Sequence, residues 1–114
     1  MAPLTDQVTL GHFRDALREW RCEGFVVWKP VAAEWVRDNL DGRTPDSIAK
    51  LMHKYVEAGG EIDQVRERRD GWEDCNQFHF DFRPTLDGRR LYIETTLRVT
   101  STGPVVKVVS IHDA

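Results

Sequence analysis

Apolar residues along the first half of the chain recur at helical spacing. Leu10, Phe13, Leu17 and Trp20 follow one another at steps of three, four and three, one face of a helix that Thr9 caps and Gly24 stops. Phe25-Val26-Val27-Trp28 is a short apolar stretch, a strand or a buried connector. A second helix begins at Pro30, turns Val31, Trp35, Val36 and Leu40 inward, and ends at Asp41-Gly42. The third helix has the clearest pattern. Thr44 caps it, Pro45 takes the first helical position and Asp46 favours the positive helix end. Ile48, Leu51, Met52, Tyr55 and Val56 then form its apolar face, His53 faces water, and Gly59-Gly60 stops it.

After Gly60 the period changes to two. Phe78, Phe80 and Phe82 alternate with Gln77, His79, Asp81 and Arg83; Leu91, Ile93, Thr95 and Leu97 alternate with Tyr92, Glu94, Thr96 and Arg98. Thr85-Leu86-Asp87-Gly88 supplies the turn between them. Val105–Ile111 is a further strand after the Thr100–Gly103 loop, and a weakly patterned strand precedes near Ile62–Arg68. Helices followed by strands predict an α+β fold. N-terminal helices pack on one face of a three- to four-stranded antiparallel sheet, in a single domain 1–114 (helical part about 5–58, sheet part about 61–113).

The other sheet face is polar. A two-residue Asp87-Gly88 turn pairs Arg83 with Tyr92, Asp81 with Glu94 and His79 with Thr96. A register two residues away pairs Asp81 with Tyr92 and His79 with Glu94. The first juxtaposes two carboxylates and calls for a cation between them. In either, His79, Asp81, Arg83, Tyr92, Glu94 and Arg98 share one face. A Thr100–Gly103 loop that pairs Val99 with Pro104 adds Lys107 to that face beside Thr96. It sends His112 to the apolar side unless a bulge at Gly103 reverses it. Such a set suits phosphodiester chemistry on RNA. Glu94 or His79 can take a 2′-hydroxyl proton, Arg83 or Arg98 can stabilise charge on phosphate, and His79 or His112 can protonate the leaving oxygen. Tyr92 can stack on a base or donate a hydrogen bond, and Lys107 adds a cation for substrate. The plain alternative is a solvated face whose charges pair across strands.

Charge and cysteine count narrow the rest. Lys and Arg number 16 against 19 Asp and Glu, a net charge of −3, so a broadly basic nucleic-acid surface is excluded and any such role needs a local cationic site. The Arg66-Glu67-Arg68-Arg69-Asp70 run reads as an exposed edge strand protected by charge. Cys22 and Cys75 read as thiols. A metal site from Cys75 and His79 with Cys22 or His112 is a weaker alternative, and no cofactor motif is present. Trp20 and Trp35 fit helix cores; Trp28 and Trp72 are core residues or anchors for a partner. The longest apolar run is far too short to span a bilayer and the N-terminus has no signal-like core, so a soluble, cytoplasmic protein without membrane partners is expected.

Between Gly59 and Ala114 the segments Asp87-Gly88-Arg89-Arg90-Leu91-Tyr92-Ile93-Glu94 and Val108-Val109-Ser110-Ile111-His112 give a hairpin and a closing strand with a late histidine. Behind helices, this arrangement resembles the RelE-like toxins and the wider barnase–EndoU–colicin–RelE group of ribonucleases. The acidic balance and the third helix set the chain apart from that group's smaller, basic toxins. The resemblance implies RNA cleavage, an antitoxin-like protein partner, and catalytic positions at Arg83, Glu94, Arg98 and His112. The competing expectation is a non-catalytic interaction module that forms a homodimer or binds a protein through a sheet edge or tryptophan patch.

Overall fold

Local signals set most of the helix ends. In a computed structural model that describes residues 2–71 and 76–114, α1 spans Gln7–Arg18, α2 Pro30–Asn39 and α3 Pro45–Glu57. Thr44 and Ser47 cap α3 reciprocally: the Thr44 hydroxyl accepts from Ser47 N at 3.1 Å and Ser47 Oγ accepts from Thr44 N at 2.9 Å. α1 starts earlier than its pattern predicts. Asp6 is the cap, with its Oδ2 accepting from Thr9 Oγ1 at 2.6 Å and from Thr9 N at 3.0 Å, and those bonds hold the Asp6 carboxyl below its ordinary range. The helix closes at Arg18, so Trp20 lies past its end. In α2 the buried residues are Ala32 and Val36, whereas Val31 is 67% exposed, a correction to its expected inward position.

The strands are β1 (Ala2–Pro3), β2 (Val26–Trp28), β3 (Ile62–Arg66), β4 (Phe78–Phe82), β5 (Thr85–Leu86), β6 (Arg89–Thr100) and β7 (Gly103–Asp113). They form one sheet in the order β1-β3-β4-β6-β7-β2, with β5 folded back on β6. This is more than the three or four strands expected. β1 and β2 are too short for a period of two to show, and β2 pairs in parallel with β7 in a mostly antiparallel sheet. The architecture is α+β, as the sequence pattern predicts.

The turn sets the central register. Asp87 and Gly88 take φ of 51° and 79°, the paired left-handed conformation of a two-residue hairpin, and Thr85 and Leu86 pair with Arg90 and Arg89. Asp81 therefore lies opposite Glu94, the first of the two expected registers. Between β6 and β7 the ladder runs regularly from Thr100↔Gly103 to Thr95↔Val108, then shifts by one, so that Glu94 meets Ser110 and Tyr92 meets His112. The extra residue at this bulge, Val109, puts His112 on the polar face. The sequence had left it on the apolar side unless a bulge lay at Gly103; the bulge lies six residues further on.

Helices cover the other face. Phe80, Phe82, Ile93, Val106, Val108 and Ile111 pack there against Phe13, Leu17, Val36, Ile48, Met52 and Val56. Phe13 lies edge-on to both Phe80 (centroids 5.1 Å) and Phe82 (5.6 Å), joining α1 to β4. Burying each such side chain stabilises the fold by roughly 1.5–3 kcal/mol. Gly60 lets the chain leave α3 and enter β3. Its N donates to Tyr55 O, and a Cβ there would lie 2.6 Å from that oxygen. No helix among the described residues is long and apolar enough to cross a membrane.

Candidate active site

The register arranges the polar face in rows across the strands. One row holds three carboxylates, Asp63, Asp81 and Glu94, on adjacent strands β3, β4 and β6. Acids side by side on a sheet repel unless each is compensated. Here each is. Arg83, one residue past β4, pairs with Asp63. Asp81 is buried and takes two bonds, from Tyr92 Oη at 2.7 Å and from His79 Nδ1 at 2.9 Å. Glu94, also buried, pairs with Arg69.

Arg69 is the cation that the Asp81–Glu94 register calls for, and it comes from outside the sheet. β3 ends at Arg66, and Glu67 N donates to Gln77 O at 3.0 Å. Two residues further on, the Arg69 side chain reaches Glu94 on the polar face. The Arg66–Asp70 run is therefore not an edge strand: β3 lies inside the sheet between β1 and β4, and only Arg66 of the run belongs to it. Glu67 is buried, accepts from Arg68 N and Arg69 N, and binds the Arg69 guanidinium at 2.7 and 2.9 Å. Those bonds hold its carboxyl at about 2 against the opposing effect of burial. Glu67 and Glu94 in turn push the Arg69 guanidinium's pKa above its ordinary value.

His79 and Tyr92 are organised around Asp81. The carboxylate only accepts, so its contact assigns the proton of neutral His79 to Nδ1 and leaves Nε2 with a lone pair. No described residue hydrogen-bonds that Nε2. Burial, then the bond to Asp81, raise the Tyr92 phenol above its ordinary value, so it stays a donor. The Tyr92 ring is flanked by the Arg83 guanidinium (5.2 Å to the centroid) and by the His112 ring, stacked at 4.8 Å and 17°. His112 is exposed; its Nδ1 meets the Asp113 carbonyl at 2.8 Å, so Nδ1 carries the proton there too.

Towards the Thr100–Gly103 turn the face becomes cationic. Continuing the β4–β6 register puts Thr96 opposite His79, and Thr96 pairs with Lys107 on β7, giving the row His79, Thr96, Lys107. A groove of about 400 Å³ opens there, lined by Val27, Asn76, Thr96, Arg98, Val105 and Lys107. Arg98 and Lys107 are exposed and form no ion pair with a described residue, whereas Arg69 and Arg83 are both bound to carboxylates.

All the sequence-designated residues lie on this face, in two groups. His79 and Tyr92 are both bonded to Asp81, with Arg83 and His112 packed on the Tyr92 ring, while Glu94 beside them is bound to Arg69; Arg98 and Lys107 sit at the groove. By strand spacing the Cα atoms of His79 and His112 are about 16 Å apart. Glu67, Arg69 and Asp63 were missed as parts of the site; the carboxylate opposition at Asp81 and Glu94 was the signal that demanded one of them. Cys75 and Trp72 lie outside the described residues. Cys22 is an exposed thiol following α1, and among the described residues no three His, Cys, Asp or Glu side chains are grouped to hold a metal ion. Compared with protein-family models, curated proteins and solved structures, the chain matches none.

Proposed function

We propose that the polar sheet face cleaves RNA by proton transfer, with the scissile phosphate over Thr96 between His79 and Lys107. The observation that carries this reading is the Tyr92–Asp81–His79 chain of hydrogen bonds, which fixes the imidazole with Nε2 open as a base. His79 Nε2 takes the proton of the 2′-hydroxyl as its oxygen attacks phosphorus. The bond from phosphorus to the 5′-oxygen breaks, and the Lys107 ammonium stabilises the phosphorane charge and gives that oxygen a proton. The products are a 2′,3′-cyclic phosphate and a 5′-hydroxyl.

The same geometry gives Glu94 and Arg83 supporting parts. Each is bound to an opposite charge, so Glu94 anchors Arg69 and Arg83 packs on Tyr92. The test is cleavage of single-stranded RNA in EDTA. His79→Ala lowers the rate about 10²- to 10⁴-fold while the protein stays folded, and Lys107→Met lowers it as well. Wild-type protein that leaves both free and ribosome-bound RNA intact overturns the reading in favour of a binding module.

A further inference from the structure

Two features of the polar face lie outside the proton-transfer row. One is the exposed face of His112. Its ring already stacks on Tyr92, which Arg83 supports, so the imidazole is held flat and rigid with its other side open. The other is Arg98, exposed at the groove beside Lys107, two cations with no carboxylate paired to either among the described residues. Like charges left together on one sheet face are unfavourable unless an anion binds them. Along β6, Tyr92 lies about 13 Å from Thr96 on one side, and Arg98 about 7 Å from it on the other.

Between the two ends lie Asp63, Asp81, Glu94 and Glu67, against the guanidinium groups of Arg69 and Arg83. Four carboxylates against two guanidinium groups leave this middle stretch with an excess of negative charge, so it repels phosphate. A nucleic acid crossing it must hold by a base at one end and by phosphate at the other. A ring stacked flat suits the first, because every base has a π-face. A pair of cations suits the second. Bases inside a duplex have both faces covered by neighbours and cannot lie on His112.

We infer that the face holds a single-stranded RNA segment running along β6, with one base stacked on His112 and the phosphate beyond the scissile one held by Arg98. The inference rests on the proposed RNA-cleaving reading and adds to it the strandedness of the substrate and a polarity of contacts.

The test is fluorescence anisotropy with a 2′-O-methylated RNA hexamer, which lacks the attacking hydroxyl and so reports binding alone. It is titrated over a range of salt, single-stranded and annealed to its complement. Wild type binds the single strand more tightly than the duplex. His112→Ala weakens single-strand binding by about 5- to 100-fold, the loss of one stacked base, and leaves the salt dependence unchanged. His112→Phe, which keeps a ring, retains binding. Arg98→Gln weakens binding and lowers the slope of log K against log salt by about 0.7, one phosphate contact on a single strand. Equal or tighter binding of the duplex overturns the inference, as does wild-type affinity in both His112→Ala and Arg98→Gln. Binding with the expected variant effects but no cleavage of unmodified RNA leaves this track standing and removes the catalytic reading. Cleavage with neither variant altering binding removes the track alone.

Discussion

Glu67 is a buried carboxylate whose ionisation is tied to the fold. Its carboxyl is held at about 2 by Arg69, below the ordinary 4.5, so the unfolded chain binds its proton more readily than the folded one. The stabilisation is present above pH 4.5 and is lost as pH falls from there towards 2. Its size is about 3 kcal/mol, the group being buried. Urea denaturation of wild type at pH 6 and pH 3 shows the loss, and Glu67→Gln shows a smaller one. Arg69 itself gives a sharper expectation. Its side chain is 46% exposed, yet its guanidinium compensates two carboxylates that are buried. Arg69→Met leaves both without a cation and costs about 3–5 kcal/mol. Adding Glu94→Gln recovers part of that, because one of the stranded charges is gone; a double-mutant cycle in urea measures the recovery.

At the scale of elements, the features readable from sequence are those with local causes. The Thr44–Ser47 cap and the Asp87-Gly88 turn each depend on a few neighbouring residues, and the turn alone selects the Asp81–Glu94 register. Gly88→Ala places a Cβ at φ 79° and costs about 1–2 kcal/mol, seen as a lower Tm. The Val109 bulge is different. Nothing in Val105–Ile111 marks one valine as supernumerary, since the bulge is fixed by which residues of β6 and β7 must both reach the core. That is why the face of His112 stayed open in the sequence. The bulge also makes an uncommon deletion tolerable. Removing Val109 joins Thr95↔Val108 directly to Glu94↔Ser110 in a regular ladder, with Ile111 still towards the core and His112 still opposite Tyr92. The deletion variant folds cooperatively and keeps ring-current-shifted His112 proton resonances. Loss of those resonances would show that the bulge, not the pairing, holds the stack.

Across the whole molecule one sheet separates two kinds of chemistry. Helices and Phe80, Phe82 and Ile93 make an apolar layer on one side; the ion pairs, His79 and the groove occupy the other. The alternation of apolar and polar residues made this division readable. β1 was not readable, and β2 stayed open between strand and buried connector, because both depend on long-range pairing with Asp63–Gln64 and Val106–Val108 rather than on any pattern of their own. Arg69 was hidden for the same reason: its partners Glu67 and Glu94 are two and twenty-five residues away, and only the fold brings the second within reach. Phe13 holds the apolar layer through two aromatic contacts with β4, so Phe13→Ala leaves a cavity costing about 3–5 kcal/mol. Residues with no shared partner on opposite faces of a sheet act independently. The Phe13→Ala and His79→Ala changes should then combine additively, within about 0.5 kcal/mol in unfolding free energy. A larger coupling would mean that β4, which carries His79 on one face and Phe80 and Phe82 on the other, transmits core repacking to the imidazole. In that event Phe13→Ala would also lower the proposed RNA cleavage by the protein that remains folded.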